Sequence, residues 1–299
     1  MELLNTKSLV FYMKFKGIEF NYISEYEAIN ILDHSNYYYK LNKFLDNYIT
    51  STNVDFKHLV DLSSIDMQLR YNIMKLSLDI EHSLKVYILR IVTQDSQYDG
   101  TGIVSDFLKY YKNKVGCKNP YYKIFKHVKH DNMLNDEYNK YENSTPIWYF
   151  IEYIQFGTLC MFIEFLYSEK NYKVLDKLNS QIKLVKNIRN KAAHNTPILN
   201  NIVIKGQLTP TKRNKFVVRY AKLKGISKKT IESRLTNFNI LDMVALFSVY
   251  DSYVTSSGMK YNRKKELREL LDRAKRNKHI YDNRFESVYN LFNKIVESL

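Results

Sequence analysis

The chain has 299 residues, 45% of them hydrophobic, with only 8 Gly and 4 Pro. That apolar share supports a sizeable core and excludes an intrinsically disordered chain, while so few turn residues exclude a loop-rich all-β fold and favour long helices. The 46 Lys and Arg outweigh 31 Asp and Glu to give +15, and the two cysteines, Cys117 and Cys160, exclude a disulfide framework.

Residues 24–34 carry the pattern of a short helix. Ser24 can cap it, and Glu27 sits at the capping-box spacing. A second short helix follows Asn36-Tyr37-Tyr38 and ends near Ile49. Ile65, Leu69, Ile73, Leu76, Ile80, Leu84, Ile88 and Ile91 step by three or four residues, which predicts one long amphipathic helix over about 65–92. Asp66 then falls in its first turn, where it suits the helix dipole. Further helices are expected at 103–114 and near 121–128. His127 and His130 are three apart there, but no further ligand lies at a recognisable spacing, so no metal site is expected.

Thr145-Pro146 opens the next helix, with Pro at a permitted first-turn position, and it runs to about Tyr167. Its apolar window, Ile147 to Leu166, contains Glu152, Gln155 and Glu164, each costly at a bilayer centre. It is expected to be a buried helix of a soluble, cytoplasmic protein, without a signal peptide and without membrane contact. Another helix spans roughly 172–194 and stops before Pro197.

Residues 198–222 change character. Ile202-Val203-Ile204 and Phe216-Val217-Val218 suggest two short strands, so a basic insertion over about 198–236 is expected to hold a short β-hairpin. Helices resume at about 227–235, 239–256, 263–276 and 281–297. Ser227 to Asn239 can be forced onto a helix-turn-helix, but the spacing is not clear. The expectation is an all-α protein: an N-terminal helical extension over 1–60, then a helical domain over 61–299.

The positive charge is uneven. Lys205 to Arg234 carries ten basic residues against one acid, Glu232, and Lys260 to Lys278 carries nine against three. The remainder is neutral. Two basic segments on a neutral body point to a polyanion partner, with Lys212, Arg213, Lys215, Arg219, Lys228, Lys229, Arg263, Lys264 and Lys265 as candidate RNA contacts. The 26 tyrosines rise together with Asn, Lys and Ile, as in an AT-rich coding sequence, and are not by themselves base-stacking platforms.

One segment carries chemistry. Arg189-Asn190-Lys191-Ala192-Ala193-His194-Asn195 ends an apolar helix marked by Ile182, Val185 and Ile188. Asn190 and His194 are four apart and share a face. Cations at a helix C-terminus also simply offset its dipole, so spacing alone does not settle their role.

The wider pattern resembles the abortive-infection (AbiD/AbiF-like) family of HEPN-domain proteins. The resemblance rests on Arg189-Asn190 followed by His194, on Asn36-Tyr37-Tyr38 with Leu41, on Pro146-x-Trp148 with Glu152 and Phe156-Gly157, and on Ala193-His194-Asn195 leading into Pro197. The chain departs from the family at Lys40-Leu41-Asn42-Lys43-Phe44, where Arg-Leu-Ser-Gly-Tyr is more usual. The resemblance implies a HEPN-type helical bundle and metal-independent RNA cleavage, with no cofactor. The ribose 2′-hydroxyl would attack the adjacent phosphate and leave a 2′,3′-cyclic phosphate. His194 would move protons, Arg189 would stabilise charge on phosphate oxygens, and Asn190 would orient His194 or the phosphate. It further implies a symmetric homodimer and, in some members, control by a non-coding RNA. Glu152 would be a carboxylate near Arg189 or a salt-bridged core residue, and Gly157 would permit close helix packing. The alternative is a non-catalytic RNA-binding protein on the same scaffold; a DNA-binding helical regulator is a third reading.

Overall fold

The computed structural model describes residues 4–48, 54–95, 99–204, 206, 208–209, 213–281 and 283–299. Among these the protein is all-α, as its composition predicts. The helices are α1 (Thr6–Phe15), α2 (Glu25–His34), α3 (Tyr38–Leu45), α4 (Phe56–Thr93), α5 (Gly102–Val115), α6 (Pro120–Lys129), α7 (Asn135–Tyr141), α8 (Ile147–Tyr153), α9 (Phe156–Ser168), α10 (Asp176–Ala193), α11 (Lys215–Leu223), α12 (Lys228–Arg234), α13 (Phe238–Tyr253), α14 (Ser257–Lys275) and α15 (Asn283–Glu297). Two-residue strands β1 (Ile18–Glu19) and β2 (Val54–Asp55) pair in parallel, Ile18 opposite Val54. No helix among the described residues is long and apolar enough to cross a membrane.

The chain divides into two compact units. One comprises 1–76, 187–247 and 256–299; the other comprises 77–186 and 248–255. In the first, Val10, Met13, Ala28, Leu41, Phe44, Phe56 and Leu59 form a buried cluster. Phe20 stacks on Phe56 there with ring centroids 5.2 Å apart. The second is built around Phe107, whose ring meets those of Phe162, Phe150 and Phe165 at 5.1, 5.3 and 5.5 Å. Such edge-to-face contacts add to the burial of large apolar rings.

Local signals hold where they are strong. The Ser24–Glu27 capping box forms on both sides, and Ile73, Leu76, Ile80, Leu84 and Ile88 are all buried along α4. Three expectations are corrected. The expected hairpin is not formed among the described residues: Phe216-Val217-Val218 lie in α11, where the Asn214 side chain accepts from the N–H groups of Phe216 and Val217, and Ile202-Val203-Ile204 form a turn. Three apolar residues in a row satisfy a strand or a helix face equally, and Val217, Tyr220 and Ala221 bury at helical spacing. The turn after α11 places Gly225 at φ +72°. Its N–H bonds Lys222 O and that of Ile226 bonds Ala221 O, a Schellman ending that leads into α12.

The helix expected over 145–167 is two helices. Ile154 and Gln155 are extended, with ψ of 138° and 154°. The carbonyls freed at the end of α8 have found partners: Lys85 Nζ donates to Glu152 O at 2.7 Å, and His127 Nε2 lies 2.9 Å from Tyr153 O. Satisfying these orphan groups is what makes a break inside an apolar run tolerable. Finally, α4 begins at Phe56, so Asp66 is not in its first turn. It is 0% exposed, with partners described below.

Candidate functional site at the end of α10

α10 buries Leu178, Ile182, Val185, Ile188 and Ala192, a stripe at three- and four-residue steps. That stripe leaves Arg189 and Asn190 half-buried and His194 exposed. Arg189 Nη1 donates to Asn190 Oδ1 at 3.3 Å. The His194 N–H donates to Asn190 O at 2.9 Å, so His194 is the cap residue of the helix.

The chain turns sharply after it. Asn195 takes φ +60°, its N–H bonds Ala192 O at 3.3 Å, and the Thr196 N–H bonds Lys191 O at 2.9 Å. This is a Schellman motif with Asn in the left-handed position, a conformation that Asn tolerates better than most residues, and Pro197 blocks continuation.

A polar scaffold holds this turn. Asp66 Oδ1 accepts from the N–H of Ile198 at 2.6 Å and of Leu199 at 2.9 Å. Its other oxygen accepts from Arg70 Nε at 2.8 Å, and Arg70 Nη1 donates to Asn195 Oδ1. Fully buried Asn47 donates to Leu199 O at 2.9 Å. Asn239 donates to Ile198 O at 2.7 Å and accepts from Lys191 Nζ. Asn237 donates to Asn201 O at 2.8 Å. Of the residues that brace the turn from other elements the sequence singled out only Asp66, and for a different reason. The available signal was a buried-side Asp and Arg four apart between Ile65, Leu69 and Ile73, an ion pair on an apolar face.

Asp242 lies 2% exposed on α13 with Oδ1 lacking a hydrogen-bond partner. Burial pushes its carboxyl up to about 7 against the pull of the Lys191 charge. Burial and then the Arg70 charge lower the ammonium of Lys40, which is 8% exposed, while the Asp66 charge opposes them.

The remaining sequence candidates are placed as follows. Lys215, Arg219, Lys228, Lys229 and Lys265 are exposed. Arg213 donates to Ile231 O at 3.0 Å, Arg263 to Glu266 at 2.7 Å and Lys264 to Glu297 O at 2.6 Å, so these three also join packed elements. Lys212 lies outside the described residues. Tyr37 is exposed, and Asn36 Oδ1 accepts from Ser63 Oγ at 2.7 Å. Glu152 is exposed rather than salt-bridged in a core. A Cβ at Gly157 would meet nothing within 4 Å, so close packing does not explain that glycine. A cavity of about 650 Å³ in the first unit is lined by Leu62, Ile73, Met243, Phe247 and Leu267, among others, and by none of Arg189, Asn190 or His194.

Fold and site together define an all-α protein with an Arg, an Asn and an exposed His gathered at one braced helix terminus. The chain belongs to the Abi-like protein family, whose match spans residues 27–200 and so includes all three residues. No curated protein and no solved structure matches it.

Proposed function

We propose that the protein is a metal-independent HEPN-type endoribonuclease acting as an abortive-infection, toxin-type effector in phage defence. Membership of the Abi-like family supports the defence role. The observation that carries the chemistry is the end of α10, where exposed His194 caps the helix one turn beyond the Arg189–Asn190 pair.

Cleavage needs three things from the protein. A base must take the proton of the 2′-hydroxyl, an acid must return one to the leaving 5′-oxygen, and cations must hold the charge that gathers on the phosphate. A histidine exchanges protons at neutral pH and suits the first two tasks. The planar, permanently charged guanidinium of Arg189 suits the third. Asn190, already paired with Arg189, orients that fork. One chain supplies one such histidine and the reaction moves two protons, so a symmetric homodimer with two helix ends facing is part of the reading. The exposed cations Lys215, Arg219, Lys228, Lys229 and Lys265 would hold RNA, whether substrate or a regulatory non-coding RNA, by salt-sensitive phosphate contacts.

The test is incubation of purified protein with total RNA in EDTA beside His194→Ala, followed by mapping of the ends. Fragments with 2′,3′-cyclic phosphate ends, lost in the variant, are expected. Bound but uncut RNA, persisting after RNA carried with the protein is stripped at high salt, would leave a non-catalytic RNA-binding protein instead.

A further inference from the structure

We propose that Asp66 and Arg70 are positioning residues for His194. The effect on rate rests on the ribonuclease reading above; the effect on His194 itself does not.

Proton transfer requires a donor–acceptor geometry held within about 0.5 Å, so a catalytic side chain belongs on a rigid support. The C-terminus of a helix is ordinarily a poor one, because its last carbonyls lack partners and it frays. His194 occupies that place in α10. Its backbone is fixed from behind by the Asn190 carbonyl and from ahead by the Schellman bonds of Asn195 and Thr196, which hold as firmly as the turn they lead into.

Asp66 and Arg70 brace that turn through its N–H groups and the Asn195 side chain, beside Asn47 and Asn239 on its carbonyls. Arg70 reaches the side chain of Asn195, the residue directly after His194. Asp66 takes the N–H groups of Ile198 and Leu199, three and four residues further on, and holds Arg70 in place through Nε. The two therefore grip both ends of a five-residue turn.

Energetics supports a positional role over a purely stabilising one. Asp66 is 0% exposed and Arg70 4%. A buried ion pair costs about as much in desolvation as it returns, and well-packed apolar residues commonly do as well. Arg70 Nη2 is moreover buried without a partner. An ion pair that gives little net stability of its own yet ties Asn195, Ile198 and Leu199 beside an exposed histidine is suited to registering that histidine.

The experiment uses the full chain with ¹³C-labelled histidine. The His194 signal is assigned by its loss in His194→Ala. Wild type is compared with Arg70→Gln, Asp66→Asn and Asn195→Gly. The last keeps the left-handed turn at no steric cost, so it folds, while it removes the oxygen that Arg70 holds. In Arg70→Gln and Asn195→Gly the His194 signal is expected to move, while that of His127, which lies against the Tyr153 carbonyl, stays in place. RNA cleavage is expected to fall about 10- to 100-fold in kcat with KM unchanged, the loss typical when a group that orients a reacting one is removed. An unchanged His194 signal in both variants overturns the proposal, whatever the rate. A shifted His194 in a protein whose wild type cuts no RNA upholds the positioning and overturns the ribonuclease reading alone.

Discussion

Asp66 accepts a hydrogen bond from the backbone N–H of Ile198 at 2.6 Å, across 132 residues of sequence. The carboxylate is fully buried, and its second oxygen holds Arg70. Asp66→Ala removes one partner of a buried ion pair and the oxygen that accepts from two backbone N–H groups at once. It is expected to cost about 3–5 kcal/mol, the range for leaving a buried charge unpaired. Urea unfolding followed by circular dichroism checks this, and a loss below about 1 kcal/mol would mean that solvent reaches Arg70.

Asp242 predicts a pH dependence. Its carboxyl is pushed up to about 7 in the folded chain from an ordinary value of 3.8. The folded state therefore keeps a proton that the unfolded chain gives up. Between these values the native state binds more protons, so the contribution to stability falls as pH rises from about 4 to 7 and stays low above. At about 1.4 kcal/mol per unit the effect is a few kcal/mol at most. Asp242→Asn should flatten the profile and gain relative to wild type at pH 8. Melting temperatures of both proteins between pH 5 and 8 decide it, and parallel curves would refute it.

The two cysteines should differ in reactivity. Burial pushes the Cys160 thiol up to about 12, whereas Cys117 is partly exposed. Because the thiolate is the reactive form, one thiol should react with a disulfide reagent at pH 8 in the native protein and two in denaturant. Rapid reaction of both in the folded chain would show the core around Ile182 opening.

The break between α8 and α9 should depend on its side-chain partners. Lys85→Met removes the donor to Glu152 O and is expected to cost about 1 kcal/mol, the usual net worth of one hydrogen bond. His127→Ala should cost a similar amount through Tyr153 O. Thermal denaturation of each variant measures this, and no loss in either would mean that water replaces both donors.

Most helices were legible because their causes are local. The 3.6-residue stripe of α4, the Ser24–Glu27 box and the Asn-Thr-Pro ending of α10 each act within a few residues, so the sequence by itself determined an all-α chain and put Arg189, Asn190 and His194 at one helix end. The tertiary structure decided the rest. Phe216-Val217-Val218 became helix because Val217, Tyr220 and Ala221 could be buried together. The run from 147 broke at 154 because Lys85 and His127, remote in sequence, could take the freed carbonyls. Asp66 became a clamp on the turn at 195–199 rather than a dipole partner because the N–H groups that donate to it lie 132 and 133 residues away. Hydrogen bonds to buried groups are obligatory wherever a partner can be found, and a partner that distant leaves no mark in local spacing.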